Sequence, residues 1–407
     1  MGYLKGYSKM LKFGIAIIVG SLAINTSWFG NSNLVLAQQQ PQVSPLEITT
    51  PDPLLPDLSG DRSLSPVERL RLEPELAKLN AEATALFNSG KPDEAFTIWY
   101  RELRLWRFLG RIEEVNSLAK VGVIAWNNNR KQDVQNITQR LQTIQEEAAN
   151  ENQLTSELLT ALATAYEQIR APKQALSVYE LILQQARAVQ DISAIANTLQ
   201  TIGKLNLTWF NYSQAAQAYE ELLNLTNSSL LPLEQLNYLK QLAFIYQQAK
   251  QPENAIPIQE QLAKIYRENQ QLVELVELQL ALANNYRTIN QPEPASKNYR
   301  AAFELAWSLE QLAYARNALN QLAQLYAAYD ETDYAIQVYQ ELIKVEQQSY
   351  DYYHLMNTYD NLAQIYLQQA NNAQALTMFQ EGLKIAEMLG YQEAYFQTQI
   401  ERVTQEN

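Results

Sequence analysis

The sequence predicts an all-α solenoid, and three observations carry that prediction. The first is a fixed period: one alanine returns at Ala175, Ala215, Ala255, Ala295, Ala335 and Ala375, about 40 residues apart. The second is that the rest of the unit keeps step with it. Four positions after each alanine stand Tyr179, Tyr219, Gln259, Tyr299, Tyr339 and Phe379. Twelve before it stand Ala163, Gly203, Ala243, Ala283, Ala323 and Ala363, each behind a leucine or isoleucine such as Leu162 or Ile202. Three residues past each of these come Tyr166, Asn206, Tyr246, Tyr286, Tyr326 and Tyr366. The third observation is helical spacing inside a unit: Leu319, Leu322, Ala323 and Tyr326, then Ala335, Val338, Tyr339 and Leu342, with the polar turn Asp330 to Asp333 between. Two weaker copies precede these, around Ala83/Gly90/Ala95/Trp99 and Gly122/Val134/Leu141. A unit repeated eight times buries its apolar faces against its neighbours.

In chain order, residues 1–37 read as an export signal. Lys5, Lys9 and Lys12 lead an apolar run from Phe13 to Ile24, too short to span a bilayer comfortably. Val35, Leu36 and Ala37 then offer a cleavage site before Gln38. Residues 38–65 hold Pro41, Pro45, Pro51, Pro53 and Pro56 among polar residues, which predicts an extended, poorly ordered linker. Ser65, Pro66 and Glu68 mark a helix start, and Pro74 is expected to break that helix. Eight repeats are expected over 66–390. In several the second helix opens on a proline, Pro172, Pro252 or Pro292. A solitary helix within 391–407 then covers the last exposed face.

The Leu-Gly/Ala pair, the aromatic three residues later, and the alanine and aromatic of the second helix resemble the tetratricopeptide repeat over roughly residues 76–390. Units of about 40 residues, rather than 34, resemble the longer-helix arrays of the kinesin light chain and the LGN-type scaffolds. That resemblance implies a right-handed superhelix binding a peptide along its inner groove.

Composition narrows the function. The chain has no cysteine and one histidine, His354, and its only glycines beyond the linker are Gly90, Gly110, Gly122, Gly203, Gly382 and Gly390. No phosphate loop, nucleophile–base set or His/Cys metal cluster assembles from that inventory, so neither an enzyme nor a cofactor is expected. Without cysteine there is no lipoprotein anchor and no disulfide. Loss of three signal lysines leaves 28 basic against 44 acidic side chains. Such a balance disfavours nucleic acid and anionic membrane surfaces as partners.

Four features remain as candidate sites. Six residues before each small residue of the first helix lies a polar ladder, Asn116, Glu157, Asn197, Asn237, Glu277, Asn317 and Asn357. The family resemblance places it in the groove, where an amide's donor and acceptor would pair with a peptide backbone. Local capping or bridging between first helices is the competing reading. Gln200, Lys240, Asn320 and Asp360 neighbour the ladder, and Lys204, Arg287 and Arg316 complete its few cations. A helix from Phe96 to Arg111 sets Phe96, Trp99, Leu103 and Trp106 opposite Arg101, Arg104, Arg107 and Arg111, a solvated stripe or a dock for acidic chain. Asp330, Glu331 and Asp333, with Asp351 and Asp360, form an acidic cluster with too few oxygens for a tight divalent site. His354 reads as structural.

The expected function is non-catalytic recognition of a polypeptide by an exported scaffold or assembly factor in a periplasm or thylakoid lumen. No stable membrane insertion is expected once the signal is removed. The export signal and Gln/Asn-rich helices resemble exported cyanobacterial tetratricopeptide proteins. Among these, the processing-associated kind that serves photosystem II implies a competing class, manganese handling.

Overall fold

A computed structural model describes residues 44–48, 50–56, 63–227 and 232–405. Among them are 17 α-helices. They run α1 (Pro66–Asn88), α2 (Pro92–Trp106), α3 (Arg111–Asn127), α4 (Lys131–Asn150), α5 (Ser156–Gln168), α6 (Pro172–Ala188), α7 (Ile192–Thr208), α8 (Tyr212–Asn227) and α9 (Pro232–Gln248). The series continues with α10 (Pro252–Glu268), α11 (Leu272–Thr288), α12 (Pro292–Ser308), α13 (Leu312–Ala328), α14 (Thr332–Gln348), α15 (Tyr352–Gln368), α16 (Asn372–Leu389) and α17 (Glu393–Gln405). They pair as eight consecutive antiparallel hairpins with α17 packed on α16, an all-α tetratricopeptide-type solenoid. The export-signal reading falls on residues outside those described.

One joint recurs between helices. Arg170, Gln190, Phe210, Lys250, Gln270, Asn290, Glu310, Asp330, Tyr350 and Ala370 all have φ between 53° and 60°, twenty positions apart but for the undescribed one at 230. At α13, the Asp330 N–H donates to the Ala327 carbonyl and the Glu331 N–H to the Tyr326 carbonyl. This is the Schellman geometry, which satisfies carbonyls the helix end would otherwise leave open. None of these positions is glycine, so each costs about 1 kcal/mol in the left-handed region, offset by the two bonds it closes. A helix of 17 residues and three linking residues give the half-unit its length, so a two-helix unit is about six residues longer than the usual repeat.

Small residues set the close approaches. A Cβ on Gly203 would lie 2.7 Å from the Tyr219 ring, and one on Gly382 2.3 Å from the Phe396 ring of α17. The first-helix tyrosines then reach back one unit: Tyr246 donates its hydroxyl to Glu220, Tyr286 to Glu260, and Tyr326 accepts from Arg300. The core is correspondingly a chain of clusters that hand over from unit to unit, closing on Phe396 and Val403 under the cap.

The N-terminal third departs from expectation. Pro74 lies inside α1 without ending it. It is exposed, so the carbonyl it deprives faces water, while Leu72, Leu76 and Leu79 on the opposite side hold the helix down. The capping box at Ser65 forms, with Glu68 Oε2 2.7 Å from the Ser65 amide. Arg111 does not continue α2. Gly110 turns the chain at φ 144°, open to glycine alone, and Arg111 starts α3. Further on, α3 packs directly on α5, and α4 touches α5 only at its margin.

One buried acid gives the fold a pH dependence. Glu346 on α14 is 1% exposed, and its Oε2 has no hydrogen-bond partner. Burial raises its carboxyl to about 7 and Asp351 adds to the rise, while a hydrogen bond from Thr358 and the charge of Arg316 oppose it. An unfolded chain releases this proton near the ordinary value of 4.5. The folded chain holds it to about 7, so stability is full below the lower value and falls as pH climbs to the upper one. The loss is about 3 kcal/mol. Asp351, held below its ordinary value by His354 and Arg316 against the opposing effect of burial, acts only in more acid solution. Glu346→Gln is expected to flatten the decline and raise the melting temperature at about pH 8. Thermal melts across that range check it; an unchanged slope would refute the assignment.

Candidate functional site

The ladder residues sit on the first helices of successive pairs. Asn116, Glu157, Asn197, Asn237, Glu277 and Asn317 are exposed, and Asn357 is half-buried. Asn116 on α3 and Glu157 on α5 line one open depression of about 530 Å³ with Ser156, Thr160 and Thr164. Glu157 carries a carboxyl lowered by a hydrogen bond to its own backbone amide and another from Thr155.

Their bonding divides them. Glu277 accepts the hydroxyl of Tyr314, which joins α11 to α13. Asp360 accepts from Tyr395 at 2.8 Å, which joins α15 to α17, and from Gln364 at 3.3 Å. Asn357 donates back to the Tyr353 carbonyl at 3.0 Å, and Asn320 accepts from Gln324 at 3.3 Å. Gln200 donates to the Tyr238 hydroxyl at 2.6 Å and Arg287 to Gln321 at 2.7 Å, again tying first helix to first helix. Asn116, Asn197, Asn237 and Asn317 make no side-chain hydrogen bond among the described residues. So the surface is a polar face whose helices are laced together by some rungs while four amides stay uncommitted. Tyr314, Tyr238 and Tyr395 were invisible to the ladder count because they occur at different offsets.

The arginine stripe of α2 is not a free surface. Residues 45–48 and 50–56, read as part of an extended linker, lie against it. Arg101 grips Asp52 through two bonds at 2.7 and 2.9 Å. Arg104 donates to the Pro45 carbonyl at 2.6 Å and Arg107 to the Leu46 carbonyl at 2.5 Å. Leu46, 1% exposed in a short 3-10 turn, enters the core of the first two pairs, and Leu54 and Leu55 pack beside α1. Beneath lies a buried ion cluster in which Glu114, 2% exposed, takes Arg140 at 2.7 Å and Arg107 at 3.0 Å. The polar, Pro-rich composition hid three apolar anchors and two acids, Asp52 on Arg101 and Glu47 at 3.3 Å from Arg107. Leu46→Ala should cost about 2–4 kcal/mol. Hydrogen exchange should show the loss in α2–α4, with α13–α16 still protected.

The acidic positions are scattered rather than clustered. Asp333 accepts from Gln369 at 3.4 Å, and Asp351 pairs with His354 at 2.7 Å and with Arg316 at 3.3 Å. Among the described residues no three His, Cys, Asp or Glu side chains converge as a metal site, and no helix is long and apolar enough to cross a membrane. Asp351 caps α15 by accepting the His354 N–H, and its carboxylate also holds the His354 ring.

Residues 314–388 and 158–193 match family models described as tetratricopeptide repeats. Solved structures resemble the chain at low identity. BtubC from P. vanneervenii is 20% identical with a TM-score of 0.37, covering 54% of this chain and 93% of that one. A putative kinesin light chain with nearly identical TPR-like repeats from Podosopora anserina is 16% identical with a TM-score of 0.37, covering 47% and 97%. A signal-transduction ATPase with a tetratricopeptide sensor from Pyrococcus horikoshii is 14% identical with a TM-score of 0.40, covering 83% and 49%. No curated protein matches. Tetratricopeptide repeats are thus present at both matched stretches, in a chain whose helix pairs form a solenoid of that type.

Proposed function

We propose that the first-helix face of this solenoid binds an extended polypeptide segment, and that the protein is a non-catalytic scaffold or assembly factor outside the cytoplasm, in a periplasm or thylakoid lumen. The observation that carries the reading is the register of Asn116, Asn197, Asn237 and Asn317: amides recurring on one face and not bonded to any described residue. An amide meets both the N–H and the C=O of an extended backbone, so a row of them binds chain without demanding one sequence. Glu157 and Glu277 in the same row bias the partner away from acidic segments.

Asn197→Ala with Asn237→Ala is expected to weaken a partner captured from the envelope fraction by about 1–3 kcal/mol, at ~0.5–1.5 per neutral hydrogen bond. The melting temperature should hold, because these amides are solvated in the free protein. Salt should matter little, since neutral contacts are barely screened. A lowered melting temperature with unchanged binding would assign the amides to the fold instead.

The compartment rests on Lys5, Lys9 and Lys12, the apolar run to Ile24 and the Val35-Leu36-Ala37 site. Intact-mass measurement of the native protein should find Gln38 at its start. A chain retaining residues 1–37 in the membrane pellet would remove this part of the reading.

A further inference from the structure

A cavity of about 720 Å³ lies between α10, α11 and α12. The repeat shows that it belongs to this unit in particular. Ala263 lines it, where the corresponding positions hold Leu183, Leu223, Phe303, Ile343 and Leu383. Gln279 lines it, where the other units hold Leu159, Leu199, Leu239, Leu319 and Tyr359. Asn298 lines it, where they hold Val178, Ala218, Ile258, Val338 and Met378. One large apolar side chain has become small and two apolar positions have become amides, all on the wall of one cavity. Nearby, Gln259 replaces the usual aromatic and pairs at 2.8 Å with Asn285, where Leu325 and Ile365 stand in later units. A local break in an otherwise regular pattern, with its cost in burial, marks a position kept for something other than folding.

The chemistry of the lining narrows the ligand. Gln279 is 6% exposed, and its Oε1 is buried without a hydrogen-bond partner. A buried acceptor left open costs stability until a donor reaches it. Around the mouth stand Arg267, Lys297, Glu260 and Glu293, all exposed. No ion pair joins the two cations to the two carboxylates among the described residues, and Glu260 takes the Tyr286 hydroxyl. The mouth therefore offers both signs of charge, and the interior offers amides without charge. A cationic side chain entering it would be buried with no carboxylate beside it. An apolar one would leave Gln279 unpaired, and a carboxylate would set acceptor against acceptor. A carboxamide donates to Gln279 and accepts in return.

We propose that this cavity binds a glutamine-type ligand, its carboxylate held at Arg267 and Lys297 and its carboxamide side chain against Gln279. The source is either the free amino acid, whose ammonium also meets Glu293, or the C-terminal residue of a peptide. The inference is independent of the first-helix amides.

Calorimetry on the full mature chain tests it, with L-glutamine, L-glutamate, L-leucine and the peptide Gly-Gly-Gln as probes. Saturable binding is expected for L-glutamine or Gly-Gly-Gln, with L-glutamate and L-leucine at least about tenfold weaker. If the free amino acid binds more tightly, the ligand is a small molecule; if the tripeptide does, it is a chain terminus. Gln279→Leu, which installs the residue of neighbouring units, should weaken binding about tenfold or more without lowering the melting temperature. Ala263→Leu should fill the cavity and abolish binding. Should that variant not fold, Gln279→Leu and the surface change Arg267→Ala decide. No saturable binding of either glutamine probe, or equal binding by wild type and Gln279→Leu, would overturn the proposal.

Discussion

The left-handed residue that ends α5 to α7 and α9 to α15 is the constraint on which the described solenoid is built. It sends the chain back after three linking residues, at a first-to-second helix joint and at a second-to-first joint alike. Because both joints are the same, the 17-residue helices α6, α7 and α9 to α15 stack with their faces in constant register. The small residues then recur at the same crossings, and the tyrosines of the first helix find the second helix of the unit before, as Tyr246 finds Glu220 and Tyr286 finds Glu260. A joint of different length would rotate the next helix, and an apolar face meant for its neighbour would point to water. Between α3 and α5 that register is interrupted. Asn152 carries the left-handed turn, Gln153 and Leu154 extend the link, and α3 meets α5 directly.

Most of this architecture was legible because helix pairing leaves a periodic trace. Ala175 and its successors, Gly203 against Tyr219, and the apolar spacing of α13 and α14 each report a packing contact that recurs, and recurrence raises a weak signal above chance. The joints themselves were not legible. Between α5 and α15 their left-handed positions hold residues as different as Arg170, Phe210, Lys250 and Tyr350, and glycine stands at such a joint only at Gly90 and Gly390, among the described residues. What places them there is the pair of closing hydrogen bonds and the packing of both flanking helices, neither of which is local in sequence. Pro74 misled for a related reason. Its effect depends on which side of the helix loses the bond, and that is known only once burial is known.

The segment 45–56 shows the limit of composition. Proline and polar residues describe an extended chain, but an extended chain with Leu46, Asp52 and Leu54 at the right spacing is also a ligand. It lies on Arg101, Arg104 and Arg107 as a bound peptide would, with two backbone carbonyls and the carboxylates of Asp52 and Glu47 taken by guanidinium groups. The stripe therefore serves the protein's own chain. It also offsets part of the stripe's charge, since Asp52 and Glu47 pair with Arg101 and Arg107.

Regularity is also what separates function from scaffold here. In a globular core a lone buried glutamine carries little meaning, since each position has its own surroundings. In a solenoid every position has counterparts in nearly the same surroundings, so the other units serve as internal controls. Gln279 beside Leu239 and Leu319 is informative in that sense, as is Ala263 beside Leu223 and Phe303. The first-helix amides gain meaning in the opposite way, by recurring where packing does not require them. Glu277 and Asp360 show what such positions do when the fold recruits them, since both are tied to a neighbouring helix by a tyrosine. Asn197 and Asn237, in the same register, are tied to no neighbouring helix among the described residues, and their hydrogen-bonding capacity stays open to the exposed face.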